Sequence, residues 1–503
     1  MHRDAVVGLV RPPLPPSLMN VPSRAVLVAV SALSLSACGP RAATPSDPQL
    51  VAQWLRTTLA FARSERLGPP VATRISAYAS LALYEGYASD PASPLRSMAG
   101  QLNRLDALPA APEGGPVDGA TVAAEAMRVV LDSLFRDGFA STRRTIDSLA
   151  KAQVAAREAA GVSAVQRDRS VAHGHALGGA LLAWAATDSF FATRGRVWTP
   201  STKHDQWENT ATLDQYVPQT LSGQSDVVVT KNPNAALEPE RESEKWVFSN
   251  RPKAAGSNTL PTFNPVRPTE PYWGNLRTFV LRDGDDCAAP TPVEYSEKPT
   301  SPFWKMAKQF YDTVKALTPD QRNIALFWAD NPVATGTPGF HWVSVTNQMI
   351  VRRHLTADDA AEVYALTSLA IADAFIGCWK EKYRSMVVRP VTYVQRVFDK
   401  QYRTVIPTPP FPEYTSGHSV QSGAAVAVLI KVLGDTIPFS DSTQMDVGQP
   451  ARAFRNFSAA RDEVAISRIY AGVHYFPAVY DGLTQGQCIG QRVLDRVKTR
   501  RAK

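Results

Sequence analysis

The stretches Phe411–Ser419, FPEYTSGHS, and Ser467–Pro477, SRIYAGVHYFP, decide how the chain is read, together with Lys382–Pro390, KYRSMVVRP, which precedes them. They bring together Lys382, Arg389 and Arg468, a Ser416-Gly417-His418 turn and a second histidine, His474. Guanidinium forks and an ammonium suit the oxygens of a phosphate-like anion. Gly417 allows close backbone approach. The helical pattern that follows it puts the Gly417 amide at a helix N-terminus, a natural anion site. Ser416 adds a hydroxyl donor, and the two histidines add acid–base, nucleophilic or ligand chemistry. Each piece alone is commonplace; the three in this order read as a site for a tetrahedral oxyanion. Lys382 and Arg389 are expected on one face of a continuous helix. Arg468 and His474 converge if a helix begins or ends between them.

Outward from these motifs the chain is helical. Leu50, Trp54, Leu55, Leu59 and Phe61 recur at helical spacing, and similar patterns follow at Val71–Ala88, Thr121–Arg136, Thr142–Ala160 and Ser163–Asp188. They predict an N-terminal bundle layer over 48–190. His173 and His175 cannot share a helix face and read as structural. Residues 191–301 are rich in Pro, Gly, Asn and charge; they predict an irregular excursion draped over the helices. Pro271–Leu281 is its apolar anchor or a short strand, and Trp198 and Trp273 are packing anchors. Residues 302–503 return to helix. Pro302–Leu317 is followed by a helix opened by Thr318 and Pro319 and a loop over Ala329–Trp342. A long helix, Thr356–Val387, is closed by Pro390. Ser416–Leu433 and Ala451–Arg500, with a break at Pro477, complete the chain. The prediction is all-α: two packed helical bundles with a long irregular excursion.

The chain has 503 residues, 44% hydrophobic and 20% charged, the composition of a folded protein too long for one compact core, so two domains, or one large one with an embellishment, are expected. A net charge of +8 comes with no basic cluster or reading motif, so a nucleic-acid partner is not expected, though a basic balance helps draw in anions. Val26–Leu35 is a short apolar run followed by Ser36-Ala37-Cys38-Gly39. Too short to span a membrane, it reads as a secretory signal over 1–37, with Met19 an alternative start. Leu-Ser-Ala-Cys is similar to a bacterial lipobox. It would make Cys38 a lipidated first residue, tethered through 38–47 at the periplasmic face or outer membrane; the alternative is cleavage nearby and a secreted or periplasmic protein. Of Cys287, Cys378 and Cys488 at least one stays unpaired. Cys378 reads as buried, and Cys287 is a candidate staple to Cys488. No Cys/His spacing of a structural zinc site occurs.

KYRSMVVRP, YTSGH and SRIYAGVH resemble the three motifs of the type 2 phosphatidic acid phosphatase (PAP2) and vanadium-dependent haloperoxidase superfamily, Lys-x6-Arg-Pro, Pro-Ser-Gly-His and Ser-Arg-x5-His-x3-Asp. PPVATR (Pro69–Arg74), FWADNPVATGTPGFHW (Phe327–Trp342) and PPFPEYTSGHS (Pro409–Ser419) are similar to its bacterial haloperoxidase-like branch. The resemblance implies an all-α double bundle. It implies that Lys382, Arg389 and Arg468 bind the equatorial oxygens of vanadate or phosphate, helped by Ser416 and the Gly417 amide. His474 would be the axial vanadium ligand, or a phosphorylated nucleophile, and His418 the acid–base group. The implied activity is haloperoxidase: vanadate as cofactor activates hydrogen peroxide as a Lewis acid, and halide is oxidised to hypohalous acid. Partners would be peroxide and a halide or organic small molecule, with membrane contact only through a lipid anchor. An acid phosphatase acting on phosphate monoesters and a non-catalytic anion-binding envelope lipoprotein are the alternatives. Two positions depart from the motifs: Thr415 replaces the proline, and Ala478 replaces the aspartate that would orient His474. Asp481 is the expected substitute. Asp330 is expected to pair with an arginine and Phe411 to shape the pocket, and His341 and Trp342 line an entrance or pack.

Overall fold

Caps and prolines cut the chain into helices much as the pattern predicts. The computed structural model describes residues 44–193, 196–216, 263–332 and 335–502. The predicted signal, Cys38 and most of the 38–47 tether lie outside these residues, as does the middle of the excursion. Helices α1 (Gln49–Ser64), α2 (Pro69–Ala88), α3 (Gly119–Leu134), α4 (Ala140–Ala159) and α5 (Ala164–Ala185) form the first set. The second set is α6 (Pro302–Lys315), α7 (Pro319–Phe327), α8 (Thr337–Arg352), α9 (Ala357–Ser385), α10 (Pro390–Val397), α11 (Gly417–Leu433), α12 (Phe457–Tyr470) and α13 (Phe476–Arg496). Thr318 opens α7 with a full capping box to Gln321, and Thr356 caps α9 through the Asp359 amide.

The two sets meet through α2 and α9, both built from small and aromatic residues and buried over nearly their whole lengths. Gly86 lets α2 lie against α3; a Cβ there would stand 2.4 Å from the Ala123 Cα. One hydrophobic core runs through both sets, and Ala42–Lys503 forms one compact unit. The segment Ala357–Val397 is long and apolar enough to cross a membrane, but its apolar window is wholly buried inside the protein.

The described part of the excursion is irregular, and Pro271–Leu281 is an anchor with no strand. Amides of Phe279, Val280 and Leu281 donate to the Asp373 carboxylate of α9 at 2.6–2.9 Å. Trp273 is buried, and Trp198 packs on Trp207 and Tyr383. A Cys287–Cys488 disulfide ties the excursion to α13, and Cys378 is free and buried.

Four local expectations are corrected. Pro390 does not end α9; Met386 does, in a left-handed conformation (φ 52°), and Pro390 opens α10. Lys382 and Arg389 therefore sit on different elements and share no helix face. Ala329–Trp342 is not all loop, because α8 begins at Thr337. Pro477 lies inside the first turn of α13, and the break comes earlier, between Tyr470 and Phe476. A two-stranded antiparallel ribbon, β1 (Phe439–Asp441) with β2 (Arg452–Phe454), interrupts the helices.

Candidate functional site

Gly417, His418, Arg468, His474, Asp330 and Phe411 line one cavity of about 1010 Å³. Lys382, in the last turn of α9, is fully buried. Its ammonium donates to the carbonyls of Pro412 (2.9 Å), Glu413 (3.0 Å) and Thr415 (2.5 Å). Three acceptors for three protons describe a charged group, although burial pulls its pKa down to about 7. Lys382 thus braces the loop before Ser416, and none of its protons is left over for an anion in this arrangement. Arg389, at the cap of α10, donates through Nε to Phe411 O (2.9 Å) and through Nη1 to Val473 O (2.8 Å). Nη1 also donates to His474 Nε2 (3.1 Å). Arg468 Nη1 donates to Trp328 O (2.8 Å). Arg389 Nη2 and Arg468 Nε are buried without an acceptor among the described residues. Burial lowers both guanidinium pKa values to about 10. Ser416 caps α11, its Oγ accepting from Ser419 N at 3.4 Å, a bond that does not spend the hydroxyl proton. The Phe411 ring lies 5.0 Å from Lys382 Nζ and 4.9 Å from Arg389 Cζ, over which cation–π attraction acts.

His474 faces this cationic group because α12 stops at Tyr470 and Gly472, at φ 82°, turns the chain back. Arg468 and His474 thereby converge. His474 Nδ1 donates to Glu413 Oε1 at 3.0 Å, and Tyr475 N donates to the same oxygen at 2.9 Å. Nε2 is then the unprotonated nitrogen. Burial, then Arg389 and Lys382, hold the imidazole well below its ordinary pKa. Glu413 is the carboxylate that Ala478 lacks. Asp481 does not take that place: it lies on α13, which begins after His474, and accepts from Tyr414 OH at 2.9 Å. The signal for Glu413 was there, an isolated charge in the apolar run FPEY, where a buried carboxylate needs a partner. Burial raises it to about 7.

His418 stands in the first turn of α11 with Nε2 3.4 Å from Asp330 Oδ2, an ion-pair distance without hydrogen-bond geometry. Burial, then Arg468, lower it to about 4. Among the described residues Asp330 makes no close ion pair with an arginine, although its charge favours the Arg468 guanidinium. Asp330 Oδ1 accepts from His341 Nδ1 (2.8 Å) and Gln444 Nε2 (2.6 Å). His341 lines no entrance; it is buried and stacked on Trp328, with ring centroids 4.4 Å apart. Trp342 is also buried and donates to Ser422 Oγ. His173 meets Ser89 on α2's C-cap, away from the cavity, and His175 meets Glu125.

The donor set is cationic, His474 Nε2 is unprotonated, and two buried guanidinium N–H groups lack acceptors among the described residues. A buried unpaired donor costs about 1–3 kcal/mol, more when charged, and an oxyanion relieves it. Fold and geometry together describe an all-α protein with a buried, cationic cavity. The VCPO second helical-bundle domain family matches residues 362–503. A bacterial vanadium-dependent iodoperoxidase structure is similar at 30% identity and TM-score 0.73, over 91% of this chain and 99% of that one. Holo-type and apo-type bacterial vanadium-dependent chloroperoxidases share the fold, with TM-scores of 0.58 at 15% and 14% identity; each covers 86% of this chain, and 92% and 95% of theirs. No curated protein matches the chain. The chain belongs to the vanadium haloperoxidase family of the PAP2-like superfamily.

Proposed function

We propose that this protein is a vanadium-dependent haloperoxidase that uses hydrogen peroxide to oxidise a halide to hypohalous acid. The observation that supports the reading is a pair of buried guanidinium nitrogens with no acceptor among the described residues, Arg389 Nη2 and Arg468 Nε, beside a histidine whose Nε2 is unprotonated. The likeness to the iodoperoxidase over nearly all of its length supports it. Vanadate, when bound, supplies Lewis-acid activation of peroxide. Arg389, Arg468, the Gly417 amide and the Ser416 hydroxyl are the residues to hold its oxygens. Lys382 adds charge from behind the loop it braces. His474 presents Nε2 to it, kept in that tautomer by Glu413. His418 is neutral near pH 7 and supplies a base for the peroxide proton, which it returns on the way to product.

The test is halogenation of a phenol dye with bromide or iodide, peroxide and added vanadate. Turnover that depends on vanadate is expected. Steady hydrolysis of p-nitrophenyl phosphate without halogenation would overturn the reading in favour of a phosphatase.

Export as a lipoprotein anchored at Cys38 is part of the same proposal. The Cys287–Cys488 disulfide suits an oxidising envelope compartment. Cys38→Ser is expected to move the protein from the membrane fraction to the soluble fraction.

A further inference from the structure

Behind His418 lies a chain of buried charge that the proposed reaction does not yet use. Both ring nitrogens of His341 face carboxylate oxygens: Nδ1 is 2.8 Å from Asp330 Oδ1, and Nε2 is 2.7 Å from Asp441 Oδ2. A carboxylate oxygen accepts, so each nitrogen donates, and an imidazole with two N–H groups is the cation. Asp330, His341 and Asp441 are 3%, 2% and 0% exposed, so these charges answer to one another and not to water. Asp441, at the end of β1, also accepts from Thr443 N (2.9 Å) and Gln348 Nε2 (3.3 Å). Asp330 Oδ1 is filled by His341 and Gln444, which leaves Oδ2 for His418. Asp330 has a left-handed backbone, φ 47°.

We propose that His341 and Asp441 are positioning residues for His418: the His341 cation, anchored by Asp441, fixes Asp330 in one orientation and sets how basic His418 is. The proposal rests on reading His418 as the acid–base group. The charged and titratable groups around it come from every neighbouring element. Arg468 of α12, His474 and Asp330 face His418. Arg63 of α1, ion-paired with Asp446, shares a small cavity with Asp330 and His341. Burial, Arg468 and the His341 charge disfavour the His418 cation, whereas Asp330 favours it. Removing the His341 charge leaves Asp330 less compensated, so His418 becomes more basic.

The experiment titrates the His418 imidazole by NMR in the full chain without vanadate, its resonance assigned by its loss in His418→Ala. In His341→Gln the midpoint is expected to rise by about one pH unit. The acid limb of the iodide-oxidation profile, measured with vanadate, moves the same way. Asp441→Asn, which keeps the shape and one acceptor oxygen but removes an anion, leaves the His341 cation less compensated and shifts the His418 midpoint the opposite way, by less. If His341→Gln does not fold, Asp441→Asn decides alone. An unchanged His418 midpoint in either folded variant overturns the proposal. Should the parent protein oxidise no halide, the functional reading fails while the titration still decides this point.

Discussion

His474 and His418 face the same cavity, and each has a carboxylate behind it, yet the two pairs are built in opposite ways. Glu413 accepts two N–H groups and is pushed by burial to about 7, despite Arg389 and Lys382 nearby. Burial would raise Asp330 too, but His341 and His418 outweigh it and hold Asp330 below the usual carboxylate range. His474 therefore leans on a carboxyl at the edge of protonation, and His418 on a permanent anion. The same pair of side-chain types, given two environments, is fitted to two tasks. The largest effects should divide along this line. His474→Ala is expected to abolish vanadate binding by calorimetry. His418→Ala should leave vanadate affinity within a few-fold and lower kcat by about 10²–10⁴. Loss of vanadate binding in His418→Ala would erase the distinction.

The pairs should also differ in how pH acts on stability. The folded-state pKa of Glu413, about 7, lies above its ordinary 4.5. Between those values the unfolded chain binds fewer protons than the folded one, so the Glu413 contribution falls as pH rises. His418 is the reverse: its folded pKa, about 4, lies below 6.5, the unfolded chain binds more protons in that window, and stability is lost as pH falls through it. Glu413→Gln removes only the first effect. Relative to the parent it should gain about 2–3 kcal/mol of stability between pH 4.5 and 7.5, read from urea unfolding across that range. A flat difference would mean that Glu413 is no less comfortable ionised than an exposed carboxylate.

The acceptor role of Glu413 can be separated from its charge. Glu413→Ala is expected to weaken vanadate binding by about 10–100-fold, as the loss of a partner that orients a ligand does. Glu413→Gln keeps an oxygen able to accept from His474 Nδ1 and Tyr475 N, so calorimetry should show most of the affinity retained. Equal losses in the two variants would make the charge, and not the hydrogen bond, what His474 needs.

Much of this was legible in the chain. Helical spacing pointed to the all-α fold, Thr318 and Thr356 marked helix starts, and two of the three motifs supply Gly417, His418, Arg468 and His474 to the cavity lining, while Arg389 of the other touches His474. The failures have physical causes. Left-handed helix ends are ordinarily marked by Gly or Asn, and Met386 carries no such mark, so Lys382 and Arg389 read as one face of one helix. Asp441 sits in a ribbon too short to leave a periodic signal, and its link to His341 spans 100 residues of chain. Glu413 was hidden by proximity: it adjoins the Ser-Gly-His turn, while its partner His474 is reached only because Gly472 reverses the chain.

The smallest expected effect tests that last correction. Asp481 was the natural substitute for the carboxylate missing at Ala478, and it is near enough to raise Glu413 slightly through like charge. Its hydrogen bond, however, is to Tyr414 OH at 2.9 Å, and Tyr414 precedes the Ser-Gly-His turn, so Asp481 can reach His474 only through other residues. Asp481→Asn preserves an oxygen acceptor for the phenol and removes the charge. It is expected to cost no more than about 0.5–1.5 kcal/mol of stability, the worth of one hydrogen bond. Vanadate affinity should stay within about twofold, because one hydrogen bond away from the ligand leaves the His474 tautomer untouched. A loss as large as that of Glu413→Ala would return the orienting role to Asp481 and make the Glu413 contact incidental.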